Sequence, residues 1–420
     1  MCGIVGTIVR RAVTNSEAVT AKELSILSNK NSKDMRLAED LLDLAWKYKS
    51  DTNFLTFCRS NSERKGVLNV IKSVKSRISD YVCRVKKINK EKETDLAFQL
   101  TSSIEKLKDV VWFLEKEIPS WVSGVSALSN TELSDLSDVE ILLYKAIHHV
   151  IGSVDNRLEV RGRDSFGLSV IISSVKFSGE EVASRGSSDG SCFCNYFHDS
   201  DIGSYSLLFK TCNPIGGLGD NATVIRKLIS DCSEIHELIK TDDWEFVTIV
   251  AHTRWASVGE INMANTLPLG VKVAVPDSSP HAIICSLNGD ILNHAEFRAQ
   301  NIFDINKSIQ DNQNVESDCS SDCLAIARAL SSIREYSFES AKELGDKLTG
   351  SFVATIQHSV APSEITLLKK GIQGLYLGFS SDNIFFASDI YGLVETSRHY
   401  FPIEPEMAIN FSPLETGKDK

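Results

Sequence analysis

Between residues 16 and 151 the chain holds only two of its 24 glycines, Gly66 and Gly124. Helical periodicity fills that stretch. Val67, Ile71, Val74, Ile78, Val82 and Val85 recur every three or four residues, as do Leu96, Leu100, Ile104, Leu107, Val111 and Leu114. Each set lays one apolar stripe on a helix, and such stripes pack against each other. Pro119 and the Ser-rich stretch 120–137 break the pattern, and Val139, Leu142, Ile147 and Val150 resume it. The text on either side is different. Residues 2–10 (CGIVGTIVR) read as a buried strand, and strand text returns after residue 155 in LSVIISSV, FVTIVAHTRW, AIICSLNG, SFVATIQH, ITLLKKG and NIFFASD. Residues 221–238 and 318–333 read as helices, and 178–203 and 303–317 as loops. An early strand separated from later strands by a helical insert implies an α+β core. The expected division is a domain of 1–15 and 150–412, a helical insertion over 16–149, and the start of a linker or tail at 413–420.

Composition narrows the class. A chain of 420 residues with 45 Lys+Arg and 56 Asp+Glu carries a formal charge of −11. That balance speaks against general nucleic-acid binding, which needs a basic footprint. Residues 62–92 run locally basic with a lone aromatic, Tyr81, among the charges, so a solvated helix face is the expectation. Charged residues at 24% and hydrophobic ones at 42% are ordinary for a folded chain. No apolar run approaches the roughly 20 residues that span a bilayer, and the N-terminus lacks a basic leader. A cytoplasmic protein with no membrane partner is expected. The ten cysteines are too scattered for a disulfide scaffold or a four-ligand zinc site, so no metal is expected.

Cys2 stands apart. Removal of Met1 would leave it with a free α-amine of pKa roughly 7.7–8.0. The nucleophile and its base would then belong to one residue, with no histidine needed. Gly3 and Gly6 close by allow tight backbone approach around a reacting atom.

Six blocks follow in order: CGIVG, RGRDSFG (161–167), AHTRWASVGE (251–260), SLNGDILNH (286–294), SDCLAIA (321–327) and GSFVATI (350–356). Together they resemble the glutaminase domain of the class II, N-terminal-nucleophile glutamine amidotransferases, and most closely the glutamine–fructose-6-phosphate amidotransferase (glucosamine-6-phosphate synthase) family. The resemblance implies an N-terminal-nucleophile αββα sandwich that hydrolyses L-glutamine through a Cys2 thioester, without a cofactor. It implies Asn288 and the Gly289 backbone N–H as oxyanion donors. Arg254 would hold the substrate carboxylate and Asp322 its α-amine, with Trp255 and Ser257 in the pocket loop and Arg161 and Gly162 supporting the nucleophile. His252, His294 and Asp164 would buttress the fold. Singly, Asn288-Gly289 also reads as a tight turn, Asp322 as a helix N-cap and Arg254 as a structural ion pair; together with Cys2 the catalytic reading prevails.

The resemblance has departures. The family's loop Thr-His is Ser257-Val258 here, and its Asn-Ala-His-Pro-His is Asn265-Thr266-Leu267-Pro268-Leu269. The family also has sugar-isomerase domains after the glutaminase, which would lie further along a longer chain or on a separate subunit; a homodimer is possible. The other readings are a catalytically silent regulatory or scaffold module, another class II amidotransferase, or an N-terminal-nucleophile hydrolase of a different amide.

Overall fold

The computed structural model describes residues 2–11, 19–29, 36–91, 94–177, 185–186, 191–199, 202–213, 216–241, 243–256, 259–273, 281–297, 302–304, 319–331, 333, 336–380 and 383–412. Ser257, Val258, the 413–420 tail and most of the 303–317 loop fall outside them. The chain divides into two compact units. One comprises Met1–Arg11, Leu128–Asn130 and Ala146–Lys420, and the other Ala12–Ala127 and Thr131–Lys145.

The second unit is helical. Its helices are α1 (Ala21–Ser28), α2 (Arg36–Lys47), α3 (Asp51–Arg59), α4 (Asn61–Glu91), α5 (Thr94–Trp112) and most of α6 (Ile118–Ser129), and α7 (Asp138–Ser153) begins in it. Thr20 and Glu23 form a capping box at the start of α1, which satisfies backbone N–H groups that the first turn leaves unpaired. α4 buries Val67, Val70, Ile71, Val74, Tyr81 and Ile88, a stripe close to the one expected. The Pro119 break does not occur. The helix runs on through Ile118, which keeps helical dihedrals (φ −59, ψ −47) after a π-turn whose extra residue makes room for the proline ring, and the Ser-rich text continues as helix to Ser129. A single π-turn, Phe113–Glu117, joins α5 to α6. It sets Phe113 and Glu117 against Lys49, whose ammonium lies 2.5 Å from the Glu117 carboxylate and 3.8 and 4.1 Å from the Phe113 and Trp46 ring centres. Ion pairing and ring quadrupoles together compensate a charge that burial would otherwise penalise.

The first unit is built on two antiparallel sheets. The nine-stranded sheet has the order β14-β12-β13-β1-β6-β2-β5-β4-β3. Its strands are β1 (Gly3–Arg10), β2 (Ser165–Ser174), β3 (Arg185–Gly186), β4 (Cys192–Asp199), β5 (Ile202–Cys212), β6 (Phe246–Arg254), β12 (Tyr376–Phe379), β13 (Ile384–Ala387) and β14 (His399–Pro402). The six-stranded sheet runs β15-β11-β10-β8-β7-β9. It is made of β7 (Leu269–Val273), β8 (His281–Ile291), β9 (Ile302–Asp304), β10 (Gly350–His358), β11 (Ala361–Lys370) and β15 (Met407–Phe411).

Two apolar clusters join the sheets face to face. Ile4, Val250 and Phe386 of the larger meet Val353, Ile365 and Leu367 of the smaller, and Ile171, Phe193 and Leu208 meet Ala282 and Ile284. α8 (Asp220–Asp231) packs on β2 and β5 of the larger sheet, followed in the chain by α9 (Ser233–Lys240). α10 (Leu324–Ser331) and α11 (Phe338–Lys347) cover the smaller one through Ile326, Leu330, Leu344 and the β8 residues Ile283, Cys285 and Leu287. The unit is thus a layered α+β assembly.

Three further sequence expectations need correction. Residues 192–199 form β4 rather than loop. Its register with β5 is continuous from Cys192↔Phe209 to Asp199↔Ile202, and Phe193 and Phe197 turn into the inter-sheet layer. The 221–238 helix is two helices, because Cys232 is extended (φ −84, ψ 102) between α8 and α9. The 318–333 helix begins only at Leu324, because the segment before it is committed to hydrogen bonds with another loop, described below.

Candidate active site

Strand alternation decides what faces the space between the sheets. In β1, Ile4 points into that layer, so Cys2, two residues earlier, takes the same side. In β6 the residue is Val250, and counting in twos reaches His252 and Arg254. In β8 Ala282 and Ile284 point inward, and the same count reaches Ser286 and Asn288. The β1–β6 register pairs Gly3 with Thr253, so its next step sets Cys2 opposite Arg254. Three segments far apart in sequence therefore deliver Cys2, Arg254 and Asn288 to one end of the sandwich.

The contacts follow. The Cys2 backbone N–H donates to Asn288 Oδ1 at 3.0 Å, bridging the two sheets. Asn288 is 1% exposed, and its Nδ2 has no hydrogen-bond partner among the described residues. The Cys2 Sγ lies 3.4 Å from the Trp255 N–H and 3.6 Å from its carbonyl oxygen. Burial pushes the thiol up from its ordinary value, while the Trp255 amide and the Arg254 charge pull it back and Asp322 raises it. The β1–β6 register sets Arg254 opposite Cys2, and Asp322 is joined to β8 three residues past Asn288 through the Ile291 N–H. Gly289 follows Asn288 with φ +109, and a Cβ there would lie 2.1 Å from the Ser351 carbonyl oxygen. Only glycine fits this backbone.

The charged pair is well anchored. Arg254 is 4% exposed and donates from Nη1 to the Glu260 carbonyl at 3.0 Å. Asp322 is 6% exposed and accepts the Ile291 N–H at 2.8 Å, so its side chain is tied to β8. Burial raises the Asp322 carboxyl pKa, and that N–H opposes the shift. Trp255 is exposed.

Arg161 and Gly162 hold the backbone behind the nucleophile. Arg161 pairs with Asp389, and the neighbouring Ser388 exchanges hydrogen bonds with Ile4. A Cβ on Gly162 would fall 2.5 Å from Arg254 C and Trp255 N; without one, the turn lies directly against the end of β6, and Thr253 Oγ1 donates to the Gly162 carbonyl. Asp164 has a defined positioning task. Its N–H donates to the Arg254 carbonyl at 3.0 Å and its Oδ2 accepts the Ala256 N–H at 2.9 Å, so it clamps both neighbours of Trp255. His252 is fully buried, and burial drives its pKa down to about 3. The neutral ring donates Nε2–H to the Leu287 carbonyl at 2.9 Å, which ties β6 to the residue before Asn288. His294 lies in a short turn (His294–Glu296) and acts on Asp322 only through its charge.

Sequence reasoning passed over one residue here. Asn265 belongs to the block noted for its missing histidines, yet it is fully buried and bonded to both Glu260 and the 320–321 segment. Its only signal in sequence is an Asn within a motif whose other positions have changed. Those changed positions, Leu267 and Leu269, pack in the core beneath the smaller sheet. Among the described residues, no group of His, Cys, Asp and Glu is arranged to hold a metal ion, and no helix is long and apolar enough to cross a membrane.

No family model matches the chain, and no curated protein matches it. Among solved structures, glutamine phosphoribosylpyrophosphate (PRPP) amidotransferase from B. subtilis, complexed with ADP and GMP, is similar over 64% of this chain and 45% of its own, at 15% identity and a TM-score of 0.37. The matched part therefore spans less than half of that protein.

Proposed function

We propose that the two-sheet unit is a glutamine-hydrolysing module of the class II amidotransferase type, an N-terminal-nucleophile sandwich. The observation that carries this reading is Asn288. Its Oδ1 holds the Cys2 nitrogen at 3.0 Å, and its buried Nδ2 is a donor without an acceptor among the described residues. An unsatisfied buried donor is costly; one aimed at a developing oxyanion is useful in the transition state.

With Met1 removed, the Cys2 amine takes the thiol proton as Sγ attacks the side-chain amide carbon of glutamine. The carbonyl oxygen gains charge and is met by Asn288 Nδ2 and the Gly289 N–H. Collapse of the intermediate expels ammonia, with its proton returned from the amine, and leaves a thioester. Water then attacks the thioester carbon, the amine accepts its proton, and glutamate leaves as the thiol is restored. Arg254 and Asp322 select an α-amino acid by its carboxylate and amine. By resemblance, the ammonia serves fructose-6-phosphate in amino-sugar synthesis on acceptor domains of a longer chain or a second subunit.

A second reading, a silent module of the same fold, is favoured by Leu267 and Leu269. They put core side chains where the family carries imidazoles.

The test is incubation with 6-diazo-5-oxo-norleucine, followed by intact mass and peptide mapping. The expected result is one adduct on an N-terminal Cys2, suppressed by glutamine and lost in Cys2→Ala. A processed, folded chain that takes up no label establishes the silent module instead.

A further inference from the structure

We propose that Asn265 is a positioning residue that sets the spacing between Arg254 and Asp322, and through it the affinity for the α-amino-acid end of the substrate; this rests on the glutaminase reading above. Arg254 closes β6, and Asp322 precedes α10 on the smaller sheet's helical side. Each is held at one point to a different sheet, Arg254 by β6 and Asp322 by the Ile291 N–H of β8. The loops that follow Arg254 and precede Asp322 are joined to each other at Asn265.

Its side chain is fully used. Nδ2 donates to the Glu260 carbonyl at 3.0 Å and to Ser320 Oγ at 3.0 Å. Oδ1 accepts the Ser320 N–H at 2.8 Å and the Ser321 N–H at 3.1 Å. The Glu260 carbonyl is also the one that receives Arg254 Nη1, and Ser321 is the residue before Asp322. One amide thus bonds both to the group orienting the guanidinium and to the peptide leading into the carboxylate. Asn265 is itself seated by its own N–H on Asn262 Oδ1 at 2.9 Å. The loops touch elsewhere as well, since a Cβ on Gly259 (φ +82) would lie 2.7 Å from Ser320 Oγ. A side chain with two acceptors and two donors engaged in fixed directions leaves little freedom in the separation of the loops. Nothing places Asn265 at the sulfur, so its loss falls on recognition rather than on the nucleophile.

The experiment compares the parent protein with Asn265→Asp and Ser320→Ala. Asn265→Asp keeps the two accepted N–H bonds and loses both donations; Ser320→Ala removes a single partner at the same junction. Three quantities are read: KM and kcat for glutamine hydrolysis, inhibition by the product glutamate, and the alkylation rate of Cys2 by iodoacetamide, which lacks an α-amino-acid end.

For Asn265→Asp, the glutamine KM and the glutamate inhibition constant should rise together by about tenfold or more, with kcat changing by less than about threefold. Ser320→Ala should move both constants the same way by less. Cys2 alkylation should stay within about twofold of the parent. Equal losses in turnover and alkylation would show a general structural role and overturn the proposal, as would unchanged glutamate inhibition in both variants. A parent protein that alkylates at Cys2 but hydrolyses no glutamine overturns the glutaminase reading itself, a different result from either.

Discussion

At the scale of single residues, the candidate site shows backbone amides doing work that side chains could not do alone. Asp164 bonds either side of Trp255, so the Trp255 peptide faces the Cys2 sulfur with its N–H and carbonyl together. Gly289 carries the same dependence further. In Gly289→Ala the new methyl meets a β10 carbonyl at 2.1 Å in a backbone region L-residues avoid. We expect a loss of about 3 kcal/mol or more in urea denaturation, together with loss of Cys2 labelling. The residues brought together here stood out in sequence through the order of six blocks that resemble a known family; taken one at a time, Asn288-Gly289 reads as a turn and Asp322 as a helix cap. The tasks of Asp164, Arg161 and Asn265 were less legible, since they depend on partners far along the chain. Arg161 meets Asp389 and Asn265 meets Ser320, and neither spacing leaves a local pattern.

At the scale of elements, local rules succeeded where one face of an element decides its fate. The α4 stripe is the example. They failed where a neighbour decides. CFCNYFHD is a strand because β5 lies alongside it, and its two inward phenylalanines flank a single polar turn-former, Asn195, within text bounded by Ser, Gly and Asp. Pro119 broke no helix because the π-turn before it widens the coil where the ring would clash. The π-turn before it gives a test. In Glu117→Gln the buried Lys49 ammonium keeps its aromatic neighbours but loses its counter-charge. The helical unit should lose about 3 kcal/mol in denaturant, and Lys49→Met added to Glu117→Gln should recover most of it. If the single variant unfolds at the parental midpoint, the ring contacts alone carry that lysine.

At the scale of the molecule, the two-sheet unit carries a built-in acid sensitivity. Burial lowers His252 to about 3 and His148 to about 4, and drives His358 well below its ordinary value. In the unfolded chain each titrates near 6.5. Between those folded values and about 6.5, the unfolded state binds protons that the folded state refuses. Stability is therefore full above that range and falls as pH drops, by about 1.4 kcal/mol per pH unit for each histidine. Denaturation midpoints from pH 7 to 4.5 should show this slope, and His148→Gln should remove one histidine's share. The sheet order was the least legible property, because antiparallel pairing joins strands without regard to their distance in sequence. β1 illustrates the consequence. Its two neighbours are Phe246–Arg254 and Ile384–Ala387, so this strand is enclosed long after it is made. At ribosomal rates of about 5–20 residues per second, it waits about 20 to 75 seconds for its second partner to be made. Until then one edge of β1 stays unpaired and aggregation-prone, even after Phe246–Arg254 has joined the other. The site beside Cys2 is thus completed only when Ile384–Ala387 joins the sheet, long after the segment that carries the sulfur is made.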